Sequence, residues 1–506
     1  DLHRLIRRQR QMCIRDRLNN FFRQKTIHIP LLLRKPPEKV LFLSQGLGGY
    51  LYELLKYPNI SIDYTELDPS IIKTAFEIDK IKQIDLLHNE LYSTRIKYHF
   101  IDGRLFLTKT TSLYDAIFIG PNLPLDLQVN RLFTKEFFLQ LKSKIKNDGI
   151  VILTLPGSLN YLSAPLKNLN SVTLSTLKSV FKSVVVIPGD NNIFIASDSS
   201  TYIDSLKMET VLRERKIPLK ILSPFQLGII LEPYYRDWFS DEMKEAKKAI
   251  NTDLYPISVF YAQSYLTSFF YPGRKNIFSF ISRVPYKIFI ILFFFPILLI
   301  PACNLSKKFF VRSTLAVTTF STGSVSMAFN LCSMLVFQIF YGYIYTWISL
   351  FIASFMAGIS IGGAFITIKL GKIKSAKKTL FSIQGYMIIT IILLSLISYI
   401  LPSFSAGSLM HSYFRFALLA INLIFGFLQG MEFPLTCKIY SLSGKGAGQT
   451  AGFLYASDLI GGFAGGLLST IFLIPFFGII KSLSALLIFK SAVFFLLLIL
   501  LKIKDF

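Results

Sequence analysis

The stretch Val40–Glu66, VLFLSQGLGGYLYELLKYPNISIDYTE, decides the fold of the first half of this chain. VLFLS is a short apolar run of the kind that forms a strand buried on both faces. It runs into Gln45-Gly46-Leu47-Gly48-Gly49, and a helical pattern follows over Tyr50–Lys56. Glycines belong where a backbone must approach a ligand and where a helix N-terminus must face it. A second strand, Ser61–Glu66, ends on an acid twenty residues after Gly46. A carboxylate at that offset can accept both hydroxyls of a ribose.

The same alternation continues outward. Ile96–Ile101, Asp115–Ile119 and Ile150–Leu155 read as strands, with helical patterns at Pro69–Lys82 and Thr134–Ile145. Asp102-Gly103 follows the third strand, where a carboxylate can bind an adenine amino group. Ser183–Pro188 and Ile193–Ala196, joined by Gly189-Asp190-Asn191-Asn192, read as a closing hairpin. Strand–helix alternation predicts a mostly parallel sheet with helices on both faces, an α/β Rossmann-like fold of the methyltransferase type. This domain is expected over 18–205. Residues 206–285 are mixed, with a charged helix expected around Asp241–Ile250, and read as an appendage or linker.

Composition separates a second half. The chain has 506 residues, 52% hydrophobic, with 48 Phe, and a mean hydropathy of +0.49. That excludes a disordered chain, a small disulfide-stapled domain and a single compact soluble domain. Seven apolar segments are expected in 286–506, at 288–303, 314–340, 345–368, 380–401, 416–436, 450–475 and 482–501. Most reach the roughly 20 residues that cross a bilayer. Cys13, Cys303, Cys332 and Cys437 show no metal-ligand spacing, so neither disulfides nor a metal is expected.

The net charge is +25. Basic residues concentrate beside the apolar segments: Lys369, Lys372, Lys374, Lys377 and Lys378, then Lys438 and Lys445, then Lys502 and Lys504. The positive-inside rule puts these loops and the C-terminus in the cytoplasm. Arg274, Lys275, Arg283 and Lys287 put the soluble domain there too, which requires 288–303 to be re-entrant or interfacial. Aromatic residues do not interleave with the 369–378 run, so lipid and not nucleic acid is its expected partner. Residues 1–17 read DLHRLIRRQRQMCIRDR. The run Met12–Asp16 matches a reading frame of a sequencing-library adapter, so this segment is read as an artefact that displaces upstream chain.

Three ionisable residues lie in apolar segments: Glu432 in GMEFPLT, Asp458 in YASDLIGG, and Lys490. They either line a polar cavity and meet a cation, or snorkel and cap broken helices. Gly358/Gly362, Gly426/Gly430, Gly461/Gly465 and Gly462/Gly466 read as close-packing faces. His28 and His99 have no carboxylate at useful spacing and read as structural.

SQGLGGYLYELLKYPNISIDYTELDP resembles the spermidine/spermine synthase family, whose loop is GGGDGG and whose second strand ends VEIDP. IDGRLFL, YDAIFIG and NRLFTKEFF resemble its third strand, its fourth strand and the helix after. HIPLLLRKPPEKVLFL, NTDLYPI, YGYIYTWISLFIASFMAGISIGG and GFLYASDLIGG are similar to a bacterial subfamily fused to membrane helices, the fused transporter/spermidine synthase proteins. The resemblance implies an inner-membrane protein with a site for decarboxylated S-adenosylmethionine or S-adenosylmethionine, built from Gln45, Gly46, Gly48, Gly49, Glu66, Asp102 and Gly103. It implies a polyamine as acceptor, and it allows a homodimer.

The chain departs from the pattern where the amine should be held. Without gaps, Gly120 and Leu123 occupy the family's two acidic positions after the fourth strand, and Leu47 replaces the loop acid. A two-residue shift aligns Asn122-Leu123-Pro124 with the subfamily and leaves Asp126 as the candidate base. Three readings follow: an aminopropyltransferase with altered acids, a nucleotide domain of other chemistry, or a transporter with a regulatory soluble domain.

Overall fold

The computed structural model describes residues 19–82, 85–270, 285–287, 306–341, 344–401, 409–442 and 446–502. The expected adapter segment and the expected segment 288–303 lie outside these residues, as do Cys13, Cys303, Arg274, Lys275, Arg283, Lys445 and Lys504. The chain divides into two compact units, one reaching Asp253 and resuming over Ile257–Pro272, the other comprising Leu254–Pro256 and everything from Gly273.

In the first unit a helix α1 over 19–32 precedes seven strands. These are β1 (Lys39–Leu43), β2 (Ser61–Thr65), β3 (Ile96–His99), β4 (Tyr114–Ile119), β5 (Ile145–Pro156), β6 (Ser183–Ile187) and β7 (Asn191–Ser197). Between them run α2 (Tyr50–Leu55), α3 (Pro69–Lys82), α4 (Asp85–Tyr92), α5 (Gly103–Lys109), α6 (Leu127–Asn130), α7 (Lys135–Lys142) and α8 (Ala164–Lys178). The sheet order is β3-β2-β1-β4-β5-β7-β6. Pairing is parallel except where β7 meets β5 and β6. This is the Rossmann-like, methyltransferase-type sheet, and the antiparallel pair is the expected hairpin. Strands β1, β2 and β4 are buried along nearly their whole length because helices cover both faces.

Four further helices follow: α9 (Ser205–Arg215), α10 (Pro224–Ile230), α11 (Pro233–Lys244) and α12 (Ile257–Phe270). The segment read as an appendage contributes Met208, Leu212, Leu222, Leu227 and Leu231 to the same buried cluster as Val40, Phe42 and Ile62. The charged helix expected at Asp241–Ile250 is shifted. Pro233 at the first turn, where a missing N–H costs nothing, starts α11 eight residues earlier, and the helix ends at Lys244.

The second unit is helical: α13 (Lys307–Tyr341), α14 (Ile344–Lys369), α15 (Ala376–Ile400), α16 (Leu409–Ser441), α17 (Ala447–Leu468) and α18 (Gly478–Lys502). Six of the seven expected segments fall on these helices. By length and composition five spans could cross a membrane, the last a continuous 56 residues, Ala447–Lys502. At 1.5 Å per residue that span would be about 84 Å long, far beyond a bilayer of about 30 Å. It is broken by a π-helical segment, Ser469–Phe477, containing Pro475, and by Gly478 at φ +81°. Gly358/Gly362, Gly426/Gly430 and Gly461/Gly465 are close-packing faces, whereas Gly462 has only an ordinary contact with Gly323 and Gly466 meets the Met327 side chain. A side chain at Gly358 or Gly362 would strike the backbone of Leu423 or Phe427, and one at Gly461 or Gly465 the carbonyl of Phe320 or Ser324.

Candidate functional site

The carboxyl edge of the parallel strands carries the predicted nucleoside residues. Ser44 and Gln45 leave β1 with φ of 59° and 55°, a left-handed turn that is uncommon for residues other than glycine. Gly48 and Gly49 follow at 88° and 122°, so the loop needs glycine at both. Gly46 is required for a different reason. A Cβ there would stand 2.9 Å from the Phe42 ring and 3.0 Å from the Tyr64 ring.

Glu66 lies at the end of β2 and is buried. Its Oε2 accepts from the Tyr64 hydroxyl at 2.7 Å and the Gln45 amide at 3.4 Å, and Oε1 accepts from the Leu67 amide at 3.0 Å. The carboxylate is therefore anchored against the glycine loop. Asp102 caps α5, accepting from the amides of Arg104 and Leu105 at 3.1 Å each, and it pairs with Arg131. Gly103 sits in the first turn of α5 with Leu43 at its back. The fold thus places Gln45, Gly46, Glu66, Asp102 and Gly103 at the ends of three neighbouring strands.

Several partners were not legible from spacing. Glu90 of α4 accepts from the amides of Gly48, Gly49 and Tyr52 at 2.9, 2.7 and 3.0 Å. It caps α2, whose N-cap Gly49 has no side chain to do so. Burial pushes the Glu90 carboxyl above its ordinary range, against those three donors. Arg23 of α1 crowds Gly49, with Cδ, Nε and Nη1 at 2.6, 2.8 and 2.9 Å from where a Cβ would stand. Arg104 forms a two-pronged pair with Asp253, 2.9 Å at each contact, and Thr134 donates to the same carboxylate at 2.7 Å. Burial opposes the charge on Arg104, but Asp253 holds its pKa above the ordinary value.

His28 and His99 both have carboxylate partners, contrary to the expectation from spacing. His28 Nε2 meets Glu53 at 2.8 Å and Nδ1 meets the Tyr57 hydroxyl at 3.1 Å. His99 Nε2 meets Asp63 at 2.8 Å. The partners are 25 and 36 residues away in sequence. The His28 cluster, closed by Lys56 at 2.6 Å from Glu53, ties α1 to α2 behind the glycine loop. Burial lowers the His28 pKa.

The amine side differs. Gly120 is imposed by the backbone: its amide donates to the Leu43 carbonyl at 2.9 Å, and any Cβ would overlap the Ser44 carbonyl. No acid fits at that position in this fold. Asp126 is exposed and caps α6, accepting from the Val129 amide at 2.7 Å. Among the described residues it makes no hydrogen bond to the other candidates. No group of three or more metal-ligating side chains occurs among the described residues. Lys25 was missed altogether. Its ammonium is enclosed beside the β6–β7 turn, 3.2 Å from the Pro188 carbonyl, and desolvation lowers its pKa to about 8 against the pull of Asp190. The one available signal was a cation, two residues after Arg23, in the helical run before TIHIPLLL. A cavity of about 640 Å³ lined by Tyr52, His88, Arg95 and Lys220 lies on the α2–α4 side and includes none of the nucleoside candidates.

Residues 20–201 match the spermine/spermidine synthase domain. The chain is similar to polyamine aminopropyltransferase 2 of Aquifex aeolicus (strain VF5), 31% identical over 222 residues, covering 42% of each chain. It is 28% identical over 207 residues to the polyamine aminopropyltransferase of Korarchaeum cryptofilum (strain OPF8), covering 38% of this chain and 60% of the relative. It therefore spans about two fifths to three fifths of the length of these relatives. Among solved structures, a spermidine synthase in complex with the transition-state analogue AdoDATO aligns with a TM-score of 0.37 at 20% identity, over 44% of this chain and 75% of that one. Human methyltransferase-like protein 13 in complex with SAH aligns with a TM-score of 0.29 at 22% identity, over 38% and 92%.

Proposed function

We propose that this spermidine synthase-like domain binds decarboxylated S-adenosylmethionine and transfers its aminopropyl group to a polyamine at a membrane. The observation that carries the reading is Glu66, anchored through Gln45 against the glycine loop with Asp102 on the next strand. Glu66 would take the ribose hydroxyls and Asp102 the adenine amino group, with Gly46, Gly48 and Gly49 letting the backbone approach. In the transfer an amine nitrogen attacks the methylene beside the sulfonium. The C–N bond forms, the C–S bond breaks, and methylthioadenosine leaves with the electron pair. The ammonium product must lose a proton, and the Asp126 carboxylate is the base proposed to accept it. The described helices of the second unit anchor the protein, with the domain on the cytoplasmic side of a bacterial inner membrane.

A second reading rests on one observation: the loop acid is replaced by Leu47 while the Arg23 guanidinium overlies Gly49. That arrangement favours the carboxylate of S-adenosylmethionine over an unaccompanied ammonium. Calorimetric titration of the full chain with each nucleoside separates the two. Preference for the decarboxylated form, lost in Glu66→Ala, supports aminopropyl transfer. Preference for S-adenosylmethionine, reversed in Arg23→Gln, supports the second reading. Absence of binding to either rejects the site.

A further inference from the structure

The helical unit holds a polar cluster that the nucleoside chemistry does not use. Helix α13 places Thr314, Thr318, Thr322, Ser326 and Asn330 at intervals of four, and all five are buried. Residues four apart are neighbours on a helix surface, and each step of four advances about 40° around the axis, so the stripe winds about 160° from Thr314 to Asn330. The stripe spans seventeen residues, a rise of about 24 Å over sixteen steps of 1.5 Å, close to the apolar thickness of a bilayer. It is not the glycine-packing face of α13, which presents Phe320 and Ser324 to Gly461 and Gly465. Thr318 and Ser326 return hydrogen bonds to the carbonyls four residues earlier, at 2.7 and 2.5 Å, while the Thr318 carbonyl, 3.0 Å from the Thr322 hydroxyl, competes with Glu432 for its one proton.

At the middle of the stripe stand two enclosed charges. Glu432 of α16 accepts from the Thr322 hydroxyl at 2.8 and 2.7 Å. Lys490 of α18, fully enclosed, donates to the same hydroxyl at 2.5 Å. Thr322 is therefore a bridge, N–H to O–H to carboxylate. Among the described residues no carboxylate lies within 4.0 Å of the Lys490 ammonium, so the lysine has no acid in direct contact. Asp458 of α17 abuts Gly323 and interacts electrostatically with both charges. Gln384 of α15, fully buried, faces Glu432 and makes no hydrogen bond of ordinary geometry.

An enclosed lysine held by a shared hydroxyl, beside two acids and a loosely held amide, is a weakly satisfied ion cluster. Such groups within a membrane span are costly unless they serve a ligand. We propose that Glu432, Thr322, Asp458 and Gln384 form a binding site for a primary ammonium ion, reached along the α13 stripe, with Lys490 as the built-in ammonium that fills it in this state. The class of ligand follows from the occupant: the site already accommodates R–NH3+. An arriving ammonium contacts Glu432 directly and displaces Lys490, making the ion contact that Lys490 does not make here. Quaternary ammonium ions, which have no N–H, are excluded.

The test uses the full chain in detergent and equilibrium binding of radiolabelled n-propylamine, with tetramethylammonium and Na+ as competitors. Lys490→Met removes the built-in ammonium and leaves Glu432 without a cation, so propylammonium should bind at least tenfold more tightly than to the unaltered chain. Adding Glu432→Gln to that variant should remove the gain. Tetramethylammonium should not compete. Equal binding with and without Glu432, equal competition by tetramethylammonium, or no binding to a folded Lys490→Met chain would each overturn the proposal. If Lys490→Met fails to fold, the unaltered chain in liposomes decides. Counterflow of labelled 1,4-diaminobutane that propylamine blocks and tetramethylammonium does not supports the site, and its absence rejects it.

Discussion

Replacing Lys25 by Met should stabilise the first unit near neutral pH and flatten its pH dependence. The Lys25 ammonium is 5% exposed and has one carbonyl partner, with Asp190 the acid near it. It deprotonates at about 8 in the folded chain, against 10.5 for an ordinary lysine. Below pH 8 the folded state carries the full desolvation cost. Between about 8 and 10.5 the unfolded chain binds more protons than the folded one, so stability rises with pH across that window. At about 1.4 kcal/mol per pH unit, the recoverable cost is about 3 kcal/mol. Methionine fills similar volume without charge but forfeits the bond to Pro188, worth about 1 kcal/mol. The expected net gain at pH 7 is about 2 kcal/mol, disappearing by about pH 10. Urea unfolding of a fragment ending at Pro272, followed by the fluorescence of Trp238, measures it at pH 6 to 10. A Lys25→Met fragment that is less stable at every pH, with the slope between 8 and 10 unchanged, would refute the reasoning.

Other outcomes follow from the same geometry. Gly120→Ala should cost about 1–3 kcal/mol, because its Cβ meets the Ser44 carbonyl, and Gly120→Asp should lower the thermal midpoint of the fragment without raising transfer activity. Asp253→Ala leaves Arg104 buried and unpaired, and should cost about 3–5 kcal/mol in urea unfolding. Glu90→Ala removes the carboxylate from three loop amides, so a loss of at least tenfold in nucleoside affinity is expected by calorimetry. Asp126→Asn should abolish transfer while leaving nucleoside affinity intact. Unaltered turnover would remove Asp126 from the mechanism.

The strands were legible because a sheet covered on both faces demands uninterrupted apolar runs. Gly48 and Gly49 were legible because few residues other than glycine tolerate their backbone, and Gly46 because two rings leave no room for a Cβ. Glu66 and Asp102 were legible because strand ends fix an acid's position along the sheet edge. The helix at Pro233 was misplaced because the charge pattern after Asp241 outweighed the start signal of the proline. Gly120 shows the limit of aligning residues one by one: it reads as a missing acid, yet the meeting of β1 and β4 admits no side chain there.

By itself the sequence determined what depends on neighbours along the chain: the alternating elements, the glycine loop, the acid at its offset, and helices apolar enough for a membrane. Tertiary structure alone decided the charges, because a buried charge needs a partner and chain topology brings that partner from far away. Arg131 reaches Asp102 across 29 residues, and Arg104 reaches Asp253 across 149. Thr322 meets Glu432 across 110 residues and Lys490 across 168. The sequence showed three ionisable groups in apolar helices. Only folding onto one hydroxyl made Glu432 and Lys490 members of a single site.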